Sequence, residues 1–554
     1  MNKRYLVILI AIFLLVNNIN AQGNSKVVVD SISNMPKTDN VVSGPKKDTV
    51  KSNLNINKNQ QLKKFGNHSQ KPPDTIKVNV SQKDYLHDKY GDLLNDDPIA
   101  NKRYCVLVPI ADIIGESVLI NCYDVYIMKY EWAKVGFKSW GKNLQTPWIG
   151  SNGWTWDGDR FGNNFLAHPF TGAGDFNSAR ACGYNFWESA PFALLGSYTW
   201  KLFGENDKPE RNSVIVTTLG GIYMGEVLYR ISSNILDDRT TGAERVGREA
   251  LAFLIDPARG FNRLFQGKTW RSTSTEVYQK EPLTVGFSGG MRAINNGVTF
   301  ASGPRNPIFN FQLDYGDPFE DKARNPFDLF KVRLECNFGV GRKFVDNVIG
   351  YGILTGTNRT YGNLEALWGF FFGYDYWDNK EFELYTSSIT AGIMTRWNLS
   401  KISNLYTKFH IGIAPFASNS TVQNPDTSQF RDYDFAYGGQ AQFESTLNLG
   451  RYLSFTIADY VYFLHTFNAP SSHATEELGT TQVSANGNNL TDIFRPKITI
   501  SITHNMKIAF EQVIYYSTDS SPDFPTIHRK QSEQKVFLTY NIQDFHLHKH
   551  DNDK

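Results

Sequence analysis

From about Glu281 onward, apolar and polar residues alternate one by one. In "LTVGFSGGMRA", Leu283, Val285, Phe287 and Met291 fall on one face, with Thr284, Ser288 and Arg292 on the other. "KVRLECNFGV" sets Val332, Leu334, Cys336 and Phe338 against Lys331, Arg333, Glu335 and Asn337. "YLSFTIADYVYFLHT", "KITISIT" and "VFLTYNIQDF" repeat the alternation. A period of two marks a strand with one wet and one apolar face. A soluble sandwich alternates as well. Three features favour a closed barrel with water inside and lipid outside. The strands are long, turn signals such as "VDNVIGYG" lie far apart, and rings (Trp368, Tyr374, Tyr376, Trp377, Trp397) sit near predicted strand ends like an aromatic girdle. Bacterial barrels close with an even number of strands, so the expectation is about twelve. The irregular run Ala417 to Arg431 is expected to be an extracellular loop.

Upstream, from Pro109 to about Gly267, the period is mostly helical. "NSARACGYNFWESAPFALLGSYTWKLFG" reads as one long amphipathic stretch kinked at Pro191. In the following helix Thr217, Gly221 and Gly225 fall four apart and form a smooth ridge. Such ridges let helices approach closely, and Ala193 with Ser197 offers a matching surface for a tight hairpin. The segment 22–97 is rich in Asn, Lys, Ser and Pro and nearly free of rings. It cannot bury enough apolar surface to offset ordering entropy, which predicts a disordered periplasmic tether, or alternatively a partner-binding arm. The first residues carry Lys3 and Arg4, an apolar run from Tyr5 to Val16, and Ala21 before a cut. These are the parts of a secretory signal. The expected organisation is α+β: signal 1–21, tether 22–97, a helical domain 98–280, an antiparallel transmembrane β-barrel 281–546 and a tail 547–554.

Composition narrows the class further. A net charge of +2 over 554 residues argues against nucleic acid as a partner. Aromatics reach 14 % while mean hydropathy stays negative. That combination suits an exported barrel, in which only alternate residues meet lipid. No later apolar run is long and uncharged enough to read as a transmembrane helix. Cys105 and Cys122 could bridge in an oxidising periplasm or stay as buried free thiols. Cys336 falls on an outward apolar row.

Candidate chemistry concentrates in "DGDRFGNNFLAHPFTGAGDFNSARACGYNFWES", Asp157 to Ser189. Its wording resembles the family called domain of unknown function 3943. The resemblance is carried by "WTWDGDRFGNNFLAHPFTG", "NSARACGYNFWESAPFALLGS", "TLGGIYMGEVLYRIS" and "GREALAFLIDPARGFNRLFQG". It implies an exported membrane protein and brings no reaction with it. The chain departs from that pattern twice: Lys201 follows Trp200, and Ser213 follows Asn212, where an acid is usual.

Within the block Arg180, Tyr184 and Glu188 share one helical face, and Glu226 with Arg230 pairs at i, i+4 on the next helix. These groups read first as a buried ion-pair network. The rival reading has His168, Glu188 and Glu226 as acid/base catalysts, with Arg180 and Arg230 holding an anion or lipid headgroup. Asp157 and Asp159 could hold a hard cation, but "DGD" is also ordinary turn chemistry. No metal or other cofactor is expected. The leading expectation is an outer-membrane barrel with a helical plug or periplasmic cap, serving transport or envelope organisation. The alternative is a membrane-embedded hydrolase or transferase acting on a lipid or lipid-linked sugar. Outer-membrane lipid is the expected partner, with a lipid headgroup or small solute as ligand.

Overall fold

The computed structural model describes residues 103–542, apart from 150–152, 274–275, 297–302, 323, 340–343, 380–382, 421–432, 468, 470–485 and 523. The expected signal, tether and tail, and most of the expected extracellular loop, lie outside these residues.

Among the described residues, seven α-helices come first: α1 (Leu107–Cys122), α2 (Phe137–Gln145), α3 (His168–Ala181), α4 (Phe186–Phe203), α5 (Arg211–Ile235), α6 (Gly242–Ile255) and α7 (Pro257–Phe265). Twelve strands follow: β1 (Leu283–Asn296), β2 (Arg305–Tyr315), β3 (Phe330–Asn337), β4 (Val345–Tyr361), β5 (Leu364–Asp378), β6 (Glu383–Asn398), β7 (Asn404–Ser420), β8 (Tyr433–Leu449), β9 (Leu453–Thr466), β10 (Gly487–Ser501), β11 (Met506–Ser521) and β12 (Phe524–Ile542). Each strand pairs antiparallel with its neighbours, and β12 returns to β1, closing the barrel. The expected fold class is the observed one.

The two faces of the wall differ in chemistry. One set of side chains reaches between strands that are not neighbours, so it must point inward. Lys331 of β3 meets Glu444 of β8 at 3.8 Å, and Arg292 of β1 meets Asp346 of β4 at 2.7 Å. Lys535 of β12 meets Glu335 of β3 at 2.7 Å. Asp375 of β5 accepts hydrogen bonds from Gln442 of β8 at 2.7 Å and Tyr462 of β9 at 3.1 Å. All of these groups except the half-buried Lys331 are buried, so side chains fill the lumen. The opposite set, including Trp368, Phe370, Ile411, Ile413, Phe463 and Leu538, is apolar and exposed. Outward rows of this kind suit a bilayer, and they are interrupted on β9 and β10 by Asp459 and Asp492, which share the outward faces of Phe463 and Leu490.

The helices lie against this outer face, which corrects the expectation of a plug or periplasmic cap. On β5, the outward row that holds Trp368 and Phe370 continues into Phe372, Tyr374 and Tyr376, which are buried under helices. Tyr223 of α5 stacks on Tyr374 with ring centroids 5.3 Å apart and donates its hydroxyl to the Lys331 carbonyl at 3.4 Å. Phe161 stacks on Tyr376 at 5.2 Å and Phe165 on Tyr385 at 4.4 Å. The Tyr374 hydroxyl donates to the Phe165 carbonyl. Two outward positions of β4 are glycines, and they open the wall to this contact. A Cβ at Gly350 would lie 2.1 Å from the Tyr223 hydroxyl oxygen, and one at Gly352 would lie 2.4 Å from Phe327.

Other expectations are corrected in detail. "VDNVIGYG" is not a turn but the start of β4. In the expected girdle, Trp368 and Trp397 are exposed, Tyr374 and Tyr376 are under helices, and Trp377 shares the inward row of Asp375. The ridge of Thr217, Gly221 and Gly225 packs on α3 instead of α4. A Cβ on Gly221 would sit 2.5 Å from the Gly172 carbonyl carbon, and one on Gly225 would sit 2.7 Å from Phe176. Cys105 and Cys122 are free and exposed.

α5 is the centre of the helical domain. Among the described residues it is the one helix long and apolar enough to cross a membrane. Yet none of its residues is exposed, because the barrel wall, α3, α4 and α6 enclose it.

Candidate functional site

Two polar clusters inside the helical domain hold every candidate residue except Glu188. The first is built on Glu226, which is fully buried in the middle of α5. Arg180 of α3 grips it with two bonds, Nε to Oε2 at 2.8 Å and Nη2 to Oε1 at 3.1 Å. Arg230, one turn along α5, gives Nε to Oε1 at 2.7 Å. Arg230 also reaches Asp328 at 3.2 Å and the Pro326 carbonyl at 2.8 Å, in the connection between β2 and β3. Arg180 donates to the Tyr184 carbonyl at 2.8 Å and lies over the Tyr229 ring at 4.2 Å. Both oxygens of Glu226 and both guanidinium groups are therefore engaged with protein. The arrangement fastens α3 to α5, and α5 to the barrel. It leaves neither arginine presented to a lipid headgroup, and Glu226 has no access to a reactant.

Glu188 is elsewhere. The expected continuous helix through Arg180, Tyr184 and Glu188 breaks after Ala181. Gly183 adopts φ of +86°, a left-handed conformation that suits glycine. Asn185 then caps α4. Its side chain accepts from the Glu188 N–H at 3.0 Å, and Glu188 accepts in return from the Asn185 N–H at 3.1 Å. This is a capping box. Glu188 also pairs with Arg103 at 2.9 Å and keeps 35 % of its side chain exposed. His168, Glu188 and Glu226 thus do not converge on one cleft.

His168 belongs to the second cluster. The turn expected at "DGD" forms: the Asp159 N–H donates to Asp157 Oδ1 at 2.7 Å. Asp157 is buried, and its own N–H donates to Asn212 Oδ1 at 2.7 Å. His168 Nε2 lies 3.9 Å from Asp157 Oδ2. One ligand atom from each of Asp157, Asp159 and His168 falls within 4.8 Å of the others, the kind of donor set that can hold a cation. The expectation of no metal did not bring His168 to these acids, because it lies nine positions further along the chain than Asp159.

The two departures from the family wording fall in this same cluster. Ser213 donates to Glu210 at 3.1 Å and to Asp157 Oδ2 at 3.4 Å. Lys201 is buried and pairs with Glu205 at 2.8 Å and Glu210 at 2.9 Å. Burial, then Asp159 and Glu210, hold the Asp157 carboxyl well above the usual carboxylate range. Burial, with Lys201 adding to it, lowers His168 to about 3. His168 is therefore neutral near pH 7: it can accept a proton or a metal bond through a ring nitrogen, but it is a poor proton reservoir. Of the partners, Glu205 was readable from its i, i+4 spacing to Lys201. Asp328 had no local signal.

Comparison with known proteins agrees with the resemblance read from the wording. Residues 153–258 match the model of the family described as Domain of unknown function (DUF3943). Both clusters draw most of their groups from this stretch. No curated protein matches. Among solved structures, the NanC porin aligns at 6 % identity and a TM-score of 0.25, covering 46 % of this chain and 98 % of its own. The outer membrane channel DcaP of Acinetobacter baumannii aligns at 8 % and 0.21, covering 47 % and 96 %. OprD from Pseudomonas aeruginosa aligns at 8 % and 0.18, covering 49 % and 97 %.

Proposed function

We propose that this chain is an outer-membrane β-barrel of transport type, closed by its own lumen side chains and braced by a helical domain on its outer wall. The observation that carries this reading is the split between the two faces of the wall. Charged and polar groups fill the interior, and apolar rows face outward, as a barrel in lipid requires. Transport fits better than a purely structural role because the lumen is lined with charges of both signs. Hydrophobic packing would fill a merely structural barrel at lower desolvation cost.

Ion pairs across the lumen act as the closure. Planar-bilayer conductance of the folded protein tests this directly. The native chain should conduct little, and Lys331→Met with Glu444→Gln should raise the conductance by removing a cross-lumen pair. No conductance from the variant, with the barrel still folded, would leave envelope organisation as the role.

The alternative of an enzyme acting on a lipid or lipid-linked sugar loses its expected catalytic trio, because Glu188 and Glu226 serve a cap and an ion-pair network. What favours keeping a chemical role in view is the second cluster, where a neutral histidine adjoins a buried and a more exposed aspartate. His168→Gln separates the two readings. Under the transport reading it leaves membrane lipid composition unchanged.

A further inference from the structure

In a water-soluble domain, arginines are exposed and large apolar side chains are buried. The last two helices of the helical domain reverse this order. On α6 and α7 the arginines Arg245, Arg248, Arg259 and Arg263 are all buried, between 3 % and 8 % exposed. They are satisfied inside: Arg263 by Asp238 and Glu249, Arg245 by Asp238 and Glu249, and Arg259 by Ser232, Ser233 and the Tyr229 carbonyl. The large side chains facing out are Val246, Leu251, Phe261, Leu264, Phe265 and, just beyond, Trp270, and the one exposed acid on α6, Glu244, is paired with Arg248 at 2.8 Å.

α4 repeats the inversion. Lys201 and two serines, Ser189 and Ser197, are buried, while Trp187, Leu194, Leu195 and Tyr198 are exposed. α1 exposes Leu107, Ile114, Val118 and Leu119. Two separate parts of the domain therefore turn charges inward and apolar groups outward, and a third, α1, adds exposed apolar groups.

We infer that the outer surface of the helical domain is a lipid-contact surface, occupied by acyl chains of the same bilayer that surrounds the barrel. Continuity identifies the occupant. The helices sit on the outward rows of β4, β5, β6 and β8, so one uninterrupted wall leads from exposed barrel residues such as Trp368 and Phe370 onto the helices. Any medium that wets those rows wets the helices as well. Buried charges in such a setting are costly unless paired, and these are paired. Apolar patches of this extent on a soluble surface would drive association.

The inference rests on the outer-membrane reading, and one experiment separates their failures. The full chain is folded into phosphatidylcholine vesicles carrying bromine on the acyl chains, and tryptophan quenching is measured. The chain has 11 tryptophans, so the signal is read as the difference between variants. Trp368→Phe with Trp397→Phe removes two exposed barrel rings. Trp187→Phe with Trp270→Phe removes two exposed helical rings. Both pairs should lower the bromine-quenchable emission, and by similar amounts. Loss of quenchable emission only in the barrel pair would overturn the inference and leave the barrel in lipid, with water or a second copy of the chain covering the helices. No loss in either pair would overturn the membrane reading itself. The conservative Phe replacements keep the fold, and heat-shifted migration on gels verifies it.

Discussion

The barrel and the helical domain are both inside out, but they bury their charges differently. In the barrel, partners meet across the lumen from strands far apart in sequence, as Lys535 meets Glu335. In the helical domain, partners meet through the seam between packed helices, as Arg180 meets Glu226. The barrel's inversion can be read from period two, because a closed sheet has only one place for its polar row. Helical period shows two unlike faces and does not say which is inside. Only the outer wall beneath the helices decides that.

If the seam holds the helical domain together, Glu226→Gln should give the largest loss. It strands Arg180 and Arg230 without their common carboxylate, at a cost of roughly 3–5 kcal/mol. Folded protein, scored by heat-shifted migration, should fall sharply and recover in part when Arg180→Met is added. Full accumulation of the single variant would show that the seam is not structural.

Next in size is Gly221→Leu, which drives a side chain into the backbone of Gly172. Overpacking of this kind typically costs about 1–3 kcal/mol. Gly247→Leu is the control, since a Cβ there meets nothing within 4 Å. Equal yields of the two glycine variants would dissolve the close α3–α5 contact.

A smaller effect should come from His168. Its folded value of about 3 lies below the ordinary 6.5. The unfolded chain therefore binds the extra proton first, and stability falls as pH drops from about 6.5 towards 3. Asp157, held above its ordinary value, works in the opposite direction: its contribution is full at low pH and fades as pH rises. His168→Gln should flatten the acid limb of a pH–stability curve. An unchanged limb would assign acid sensitivity elsewhere.

The smallest change should follow Glu188→Gln. An exposed pair such as Arg103–Glu188 contributes about 0.2–1 kcal/mol, and glutamine serves equally in a capping box. A loss as large as that of Glu226→Gln would put Glu188 back in the network.

Most strands were legible because their outward positions stay apolar. β4 was not. Its outward Gly350 and Gly352 read as turn signals, and they are small because Tyr223 and Phe327 press into them. The meeting of Arg180, Glu226 and Arg230 was legible from spacing along two helices. Glu188 was misplaced because spacing was carried through Gly183, where the chain turns left-handed. Asp328 could not be foreseen, since it comes from a strand connection nearly a hundred residues beyond its partner Arg230. The cluster at Asp157 was half legible: the turn was, and its junction with His168 and Lys201 was not.

The central claim is that the helices ride on the outside of the barrel wall. A photo-crosslinking benzoylphenylalanine in place of Tyr223, activated in the folded protein, tests it most directly. Mass spectrometry of the product should place the crosslink on the outward rows, at Val348, Gly350 or Gly352 of β4 or at Phe372 or Tyr374 of β5. Capture instead of the inward residues Asn347, Ile349, Tyr351 or Asp375 would put α5 in the lumen and contradict the account.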